Sequence, residues 1–501
     1  MEGTSLKQNI ESITNALGGQ SSIIVRNFFI GNVNPLDATI IYINGLAKNN
    51  QIEDFVLKPL MMQVNEKLVL ENICQNLIKK YIFVSNSWID SDLNNIVTMI
   101  KRGKTAILIN GAQDVILLDT TGGEYRSISE PVNEPVISGS KEGFVENLEI
   151  NISILKRKVK DSNMVVENLV IGRRSQTVVA LIYIKDIVDM DLVNELRNRI
   201  SDVDIDILNG AGELTQYIED YPNTLFPQAR GTEKPNVLAS NLMEGKIGVA
   251  VDGTPLVFML PCVFTEFFQT TEDYNERTLI GNFGRMIRFI AAFIVITFPS
   301  LYLTLIKFNP ELIPIKFITP IIQSRIGIAL PPFLEILFME LVVEFLREGG
   351  LRLPARIGQT ISLVGGIIIG DTAVKSKIVS PTTLFIVGIT VIATFLIPNY
   401  EMALSVRLMR FPMLFLANFL GIMGIGIGWY FILLSLCSTD SFGVPYFDMK
   451  LGDFKDLFIR APLWKMNKRP ENVPNNNATR QMDFRAKWGP SRRKKNEESG
   501  E

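Results

Sequence analysis

A charge-free run from Phe289 to Ile306 constrains this chain more than any other feature. It approaches the roughly 20 residues that carry an α-helix across about 30 Å of hydrocarbon. Pro299 lies inside the run; it would break a helix in water, but lipid-embedded helices tolerate proline when neighbours satisfy the freed carbonyl. Two later runs repeat the pattern. Thr382–Ile397 has no charge, and Met413–Leu436 is long enough to span with some tilt. A soluble core has no need of such runs, so residues 289–437 are expected to form an all-α polytopic membrane domain.

Two shorter runs fall between these. Leu330–Phe345 carries Glu335, Glu340 and Glu344, and a carboxylate at mid-bilayer costs at least ~2.5 kcal/mol on insertion scales. Glu340, Glu344 and Arg347 recur at helical spacing and share a face. That face either lines a pore or cavity, for which Glu335, Glu340, Glu344 and Arg347 are the candidates, or belongs to an amphipathic helix lying at the headgroups. Arg356–Gly370 is apolar after its first residues but ends at Asp371, so it is short for a full span and fits a re-entrant segment. Helices in lipid associate by close approach of small residues. Gly366 with Gly370, and Gly424 with Gly428 preceded by Gly421, are therefore candidate helix-packing faces between subunits, although glycine is also simply common in membrane helices.

Basic residues predict orientation. Arg285 and Arg288 precede the first run, Arg347, Arg352 and Arg356 follow the Glu-bearing run, and Arg407 and Arg410 precede the last. By the positive-inside rule these ends are cytoplasmic. The tail beyond Trp464 is also basic, through Arg492-Arg493-Lys494-Lys495. An even number of crossings follows, so one of the two short runs should enter and leave on the same side.

Ahead of the block, Met1–Asn9 has no charged-then-apolar leader, which predicts that the first part of the chain stays on the synthesis side. Helical and strand patterns alternate there as α/β units do. Residues 1–128 read as one α/β lobe, with strands at Ile23–Ile30, Ala38–Ile43, Tyr81–Val84, Thr105–Ile109 and Val115–Asp119. Residues 129–225 read as a second, after a Pro-rich linker at Ser129–Val136. Residues 226–288 form a membrane-proximal connector with aromatic residues suited to an interface, and 438–501 a cytoplasmic tail, disordered towards its basic end. The basic run Lys156–Lys160 suits a solvated helix end, so no nucleic-acid partner is expected.

The chain of 501 residues contains no histidine. That removes Ser–His catalysis, the commonest zinc ligand and the ordinary switch near neutral pH. Its three cysteines, Cys74, Cys262 and Cys437, are odd in number and widely spaced, which argues against a disulfide framework or a thiolate metal site. No catalytic constellation, metal or cofactor is expected, and the chain does not read as an enzyme.

Longer motifs are more specific. Gly139-Ser-Lys-Glu-Gly-Phe-Val-Glu-Asn-Leu148, Phe226-Pro-Gln228, Thr232-Glu-Lys-Pro235, Leu242-Met-Glu-Gly-Lys-Ile247, Val251-Asp-Gly-Thr-Pro255 and Ile397-Pro-Asn-Tyr400 resemble the A subunit of the GerA family of spore germination proteins. So do Phe267-Phe-Gln269 with Glu272-Asp-Tyr274, and Arg352-Leu-Pro354, Ile357-Gly-Gln359 and Val379-Ser-Pro381. The resemblance runs from about Ser22 to Arg469. It implies a nutrient-germinant receptor of the spore inner membrane, built with a transporter-like B subunit and a lipoprotein C subunit, whose A subunit forms a homo-oligomeric ion channel. It also admits a sporulation-stage relative that does not sense nutrients. A membrane-anchored signalling scaffold beside a separate transporter is the alternative from another class.

Overall fold

The computed structural model describes residues 6–17, 23–32, 35–122 (except 45, 67 and 69), 131, 134, 139–352, 365–366, 368–448, 450, 456–482 and 484–485. It divides into two compact units, Met1–Tyr125 and Arg126–Glu501.

In the first unit α1 (Leu6–Ala16) precedes the hairpin β1 (Ile23–Ile30) and β2 (Leu36–Ile43). A helical stretch over residues 49–62, α2 (Ile73–Lys80), β3 (Ser87–Asp90), α3 (Leu93–Lys101), β4 (Thr105–Ile109) and β5 (Val115–Leu118) follow. The sheet order is β1-β2-β4-β5-β3 and every pair is antiparallel. Alternation along β2 sorts the two faces. Ile40 and Tyr42 pack with Leu60 and Leu77, while Ile41 and Ile43 pack with Ile13, Ile96 and Ile100. One of the expectations fails here. Tyr81–Val84 directly follows α2 and is not a strand; the edge strand is β3. The neighbouring strands β1–β2 and β4–β5 are joined by turns too short for anything but antiparallel pairing.

The second unit opens with α4 (Leu148–Lys158), β6 (Met164–Ile171), β7 (Thr177–Ile184), α5 (Met190–Asp202) and α6 (Ala211–Ile218). Then come β8 (Arg230–Thr232), α7 (Pro235–Leu242), β9 (Ile247–Val251) and β10 (Val257–Leu260). Its sheet order, β6-β7-β9-β10-β8, again antiparallel throughout, reproduces that of the first sheet strand for strand. The chain thus holds the same helix, hairpin, two-helix, strand, helix and hairpin sequence twice. The stretch read as a connector supplies β8, β9 and β10. β9 and β10 are buried on both faces, so they lack the alternation that marks a strand in sequence. The expected linker Ser129–Val136 lies almost wholly outside the described residues.

The helices α8 (Thr278–Lys307), α9 (Ile315–Arg325), α10 (Pro332–Leu351), α11 (Pro381–Phe395), α12 (Tyr400–Leu420) and α13 (Ile422–Ser438) follow, with residues 368–375 also helical between α10 and α11. Among the described residues α8 and α12 are long and apolar enough to cross a membrane, and α11 and α13 are shorter apolar helices. Met413–Leu436 is not one helix. Gly421 adopts φ +60°, reached cheaply only by glycine, and the chain reverses there into α13. Arg285, Arg288, Arg407 and Arg410 consequently sit inside helices rather than in loops that precede them.

The helices alternate in direction. Arg288 on α8 donates to the Phe268 carbonyl at 2.9 Å beside the second sheet, and at the far end Lys307 reaches the Asn418 carbonyl near the end of α12 at 2.8 Å. α10 starts at that far end and runs back; residue 365 lies beside Leu346 and residue 377 bonds Ala329, so residues 365–375 run out again. α11 returns and α12 departs from the Leu225 carbonyl, held by Ser405. α13 comes back to a hydrogen bond from Ser441 to the Gln228 carbonyl at 2.8 Å. The beginning of the expected re-entrant segment, residues 356–364, lies outside the described residues.

Candidate functional site

The carboxylates of α10 are not free. Glu335 is fully buried and accepts from the Ser380 amide and hydroxyl at 2.6 Å each, while its other oxygen lies 2.7 Å from Arg325 at the end of α9. Five residues on, Glu340 is 1 % exposed and lies 2.6 Å from Nη1 of Arg410. The Nη2 of Arg410 is 2.6 Å from Glu344, whose second oxygen pairs with Arg347. Thr390 of α11 donates to Glu340 at 3.3 Å. The geometry answers the cost of placing charge in an apolar block: each carboxylate has its own arginine, and Arg410 clamps two of them with a bidentate guanidinium. The face predicted to carry Glu340, Glu344 and Arg347 exists, and it turns towards α12 of the same chain.

A second cluster holds α8 to the chain around it. Arg285, fully buried, donates to the Asp456 carbonyl at 2.7 Å and the Leu457 carbonyl at 3.2 Å, and meets Asp456 Oδ1 at 3.0 Å. Arg288 donates to both oxygens of Asp273 at 2.8 Å. Burial by itself pushes Asp273 up, but the hydrogen bonds and charge of Arg288, then Arg285, outweigh it and hold the carboxyl below its ordinary value. Burial pushes Asp456 up against the pull of Arg285. Part of the tail therefore belongs to the fold: Arg460, Asn472 and Val473 are buried, whereas residues 449, 451–455, 483 and 486–501, the last of these the stretch where disorder is expected, lie outside the described residues.

A model of the family described as Bacillus/Clostridium GerA spore germination protein matches residues 11–472. The chain belongs to the GerA family. Spore germination protein KA of Bacillus subtilis (strain 168) is 36 % identical over 482 residues, 95 % of this chain and 88 % of that one. The uncharacterized membrane protein YfkQ of the same organism is 35 % identical over 477 residues, 94 % and 92 % of the two chains. Spore germination protein GerLA of Bacillus cereus is 31 % identical over 485 residues, 96 % and 97 %. Among solved structures, the N-terminal domain of the A subunit of the Bacillus megaterium spore germinant receptor GerK3 is 30 % identical, covering 52 % of this chain and 98 % of that one, at a TM-score of 0.22.

In this GerA-family chain the candidate glycines divide. A Cβ on Gly424 would stand 2.1 Å from the Leu416 carbonyl oxygen, and one on Gly428 would stand 2.5 Å from the Met413 sulfur, so both face α12 within the protomer. A Cβ on Gly370 would lie against Leu384 of α11, whereas one on Gly366 would meet nothing within 4 Å among the described residues. Sequence reading missed Arg325 and Arg410 as partners of the carboxylates. The signal was present in Arg410: an arginine inside an apolar run must find an anion or a carbonyl.

Proposed function

We propose that this GerA-family chain is the A subunit of a spore germinant receptor. It sits in the spore inner membrane with both lobes and the tail on the cytoplasmic, spore-core side, and works with a transporter-like B subunit and a lipoprotein C subunit. The observation that carries this reading is the family match over residues 11–472, with relatives KA and GerLA that are named spore germination proteins. The antiparallel run of helices, which leaves the second sheet at α8 and returns to it after α13, supports an even number of crossings.

As a homo-oligomer the subunit conducts cations. Glu340 and Glu344 are the pore carboxylates, since rings of carboxylates favour cation passage, and Arg410 is the bolt that neutralises them at rest. Opening transfers Arg410 away from Glu340. Flux from proteoliposomes holding the assembled receptor tests this: Glu340→Gln and Glu344→Gln abolish germinant-triggered cation flux, and Arg410→Gln raises flux without germinant. Wild-type receptor that passes no ions under any germinant sinks the channel reading. The scaffold alternative then stands, favoured by the pairing of every α10 carboxylate within its own protomer or helix.

A further inference from the structure

A cavity of about 410 Å³ lies where the ends of α11 and α12 meet the second sheet. Four cations line it, Arg230 of β8, Lys234 ahead of α7, Arg347 of α10 and Arg407 of α12, against two carboxylates, Glu134 and Glu272. The lining thus carries an excess of two positive charges, or one when Glu344, which pairs with Arg347 from outside, is counted.

Arg407 is the decisive residue. It is 7 % exposed, it lines the cavity, and among the described residues it makes no hydrogen bond or ion pair; its Nε and that of Arg347 are buried without an acceptor. A guanidinium withdrawn from water with no counter-charge is strongly unfavourable unless something supplies one. The two other arginines of the cavity are anchored: Arg230 donates to the Gln269 carbonyl at 3.1 Å and Arg347 to Glu344. They are held in place, and Arg407 is left with its donors unspent. The same cavity is walled by Phe395 and Tyr400, which are 78 % and 54 % exposed and extend the site on to an apolar surface.

We propose that this cavity binds a phosphate-class oxyanion, with Arg407 as the principal ligand and Arg230, Lys234 and Arg347 completing the cradle. Guanidinium forks match phosphate oxygens two at a time. The apolar rim at the helix ends makes the phosphodiester of an anionic phospholipid the favoured source, with free phosphate as the other source of the same chemistry. The inference does not depend on channel activity.

Full-length protein is reconstituted in nanodiscs of phosphatidylcholine alone or with phosphatidylglycerol, and lipid retained after detergent extraction is read by native mass spectrometry. In parallel, thermal unfolding of the detergent-solubilised protein is followed with inorganic phosphate, using chloride at equal ionic strength as control. Retained phosphatidylglycerol identifies a lipid site, and a phosphate-specific rise in melting temperature identifies a free-anion site. Loss of the charged donor in Arg407→Gln is expected to weaken either by roughly tenfold or more, and Arg407→Lys to restore part of it. A wild-type protein that retains neither lipid preferentially and gains no stability from phosphate overturns the proposal. So does Arg407→Gln binding as well as wild type. Should Arg407→Gln not fold, the wild-type arms and Arg407→Lys decide alone.

Discussion

Arg410 shows how one residue decides the meaning of its neighbours. Glu340, Glu344 and Arg347 were legible as a charged face because their spacing is local, yet their partner lies 66 residues away from Glu344 and no periodicity links the two. What sequence conveyed was the demand for a counter-charge; only the fold supplies the address. Removing one side of a buried pair costs about 3–5 kcal/mol, because the other charge stays buried. Arg410→Gln is thus expected to lower the melting temperature of the solubilised protein substantially, and the double change Arg410→Gln with Glu340→Gln to recover part of it. Additive losses in that cycle would mean that the pair is not coupled. Asp273 gives a prediction in pH. Its carboxyl is held below the ordinary aspartate value of 3.8 in the fold, so the unfolded chain takes up the proton first as pH falls. Its stabilisation is complete above that value and is lost as pH drops through the lower, folded one. Wild type should lose melting temperature more steeply than Asp273→Asn between about pH 4 and pH 2; parallel curves would remove Asp273 from the account.

Among elements, the turn at Gly421 carries the largest difference between expectation and structure. A continuous apolar stretch such as Met413–Leu436 reads as one span because hydropathy is blind to direction, and one left-handed residue suffices to fold it in two. Once the hairpin forms, Gly424 and Gly428 are consumed by contact with α12. Their substitutions are expected to act on the stability of the protomer before they act on any oligomer. Gly424→Ala meets backbone, which cannot yield, whereas Gly428→Ala meets the end of the Met413 side chain, which can. The first should cost at least 1–3 kcal/mol, the typical range for overpacking, and the second less, in thermal unfolding of the solubilised protein. Equal losses would show that α13 shifts freely. At Gly366, by contrast, an added Cβ meets nothing within 4 Å among the described residues, so Gly366→Ala should leave the melting temperature unchanged, and any loss of crosslinked oligomer in that variant reports on subunit packing.

At the scale of the whole molecule the topology shared by the two sheets was not legible. β9 and β10 are short and buried on both faces, and Arg230–Thr232, three residues with a central glycine, is too short to show a strand pattern. What sequence did not convey of the tail is its contact with Arg285, which donates to the backbone carbonyls of Asp456 and Leu457, acceptors that no side-chain pattern announces. Truncation before Asp456 should strip Arg285 of its acceptors on Asp456 and Leu457, leaving it Asp273 at 3.5 Å, and yield aggregated protein in size-exclusion chromatography, whereas truncation after Arg485 should elute like the full chain. Equal elution of both would mean that the tail is an ornament. The hydrogen bonds that link Cys262 to Ser441 at 3.1 Å and Ser441 to the Gln228 carbonyl span 179 and 213 residues, and Tyr446 fills an aromatic cluster with Phe226 and Phe267. The ribosome supplies roughly 5–20 residues per second, so the second lobe waits on the order of ten to forty seconds, with part of its floor missing, while every helix between is made. Biogenesis of this chain therefore includes an interval in which the Cys262 amide and the Gln228 carbonyl have been made and their Ser441 partner has not.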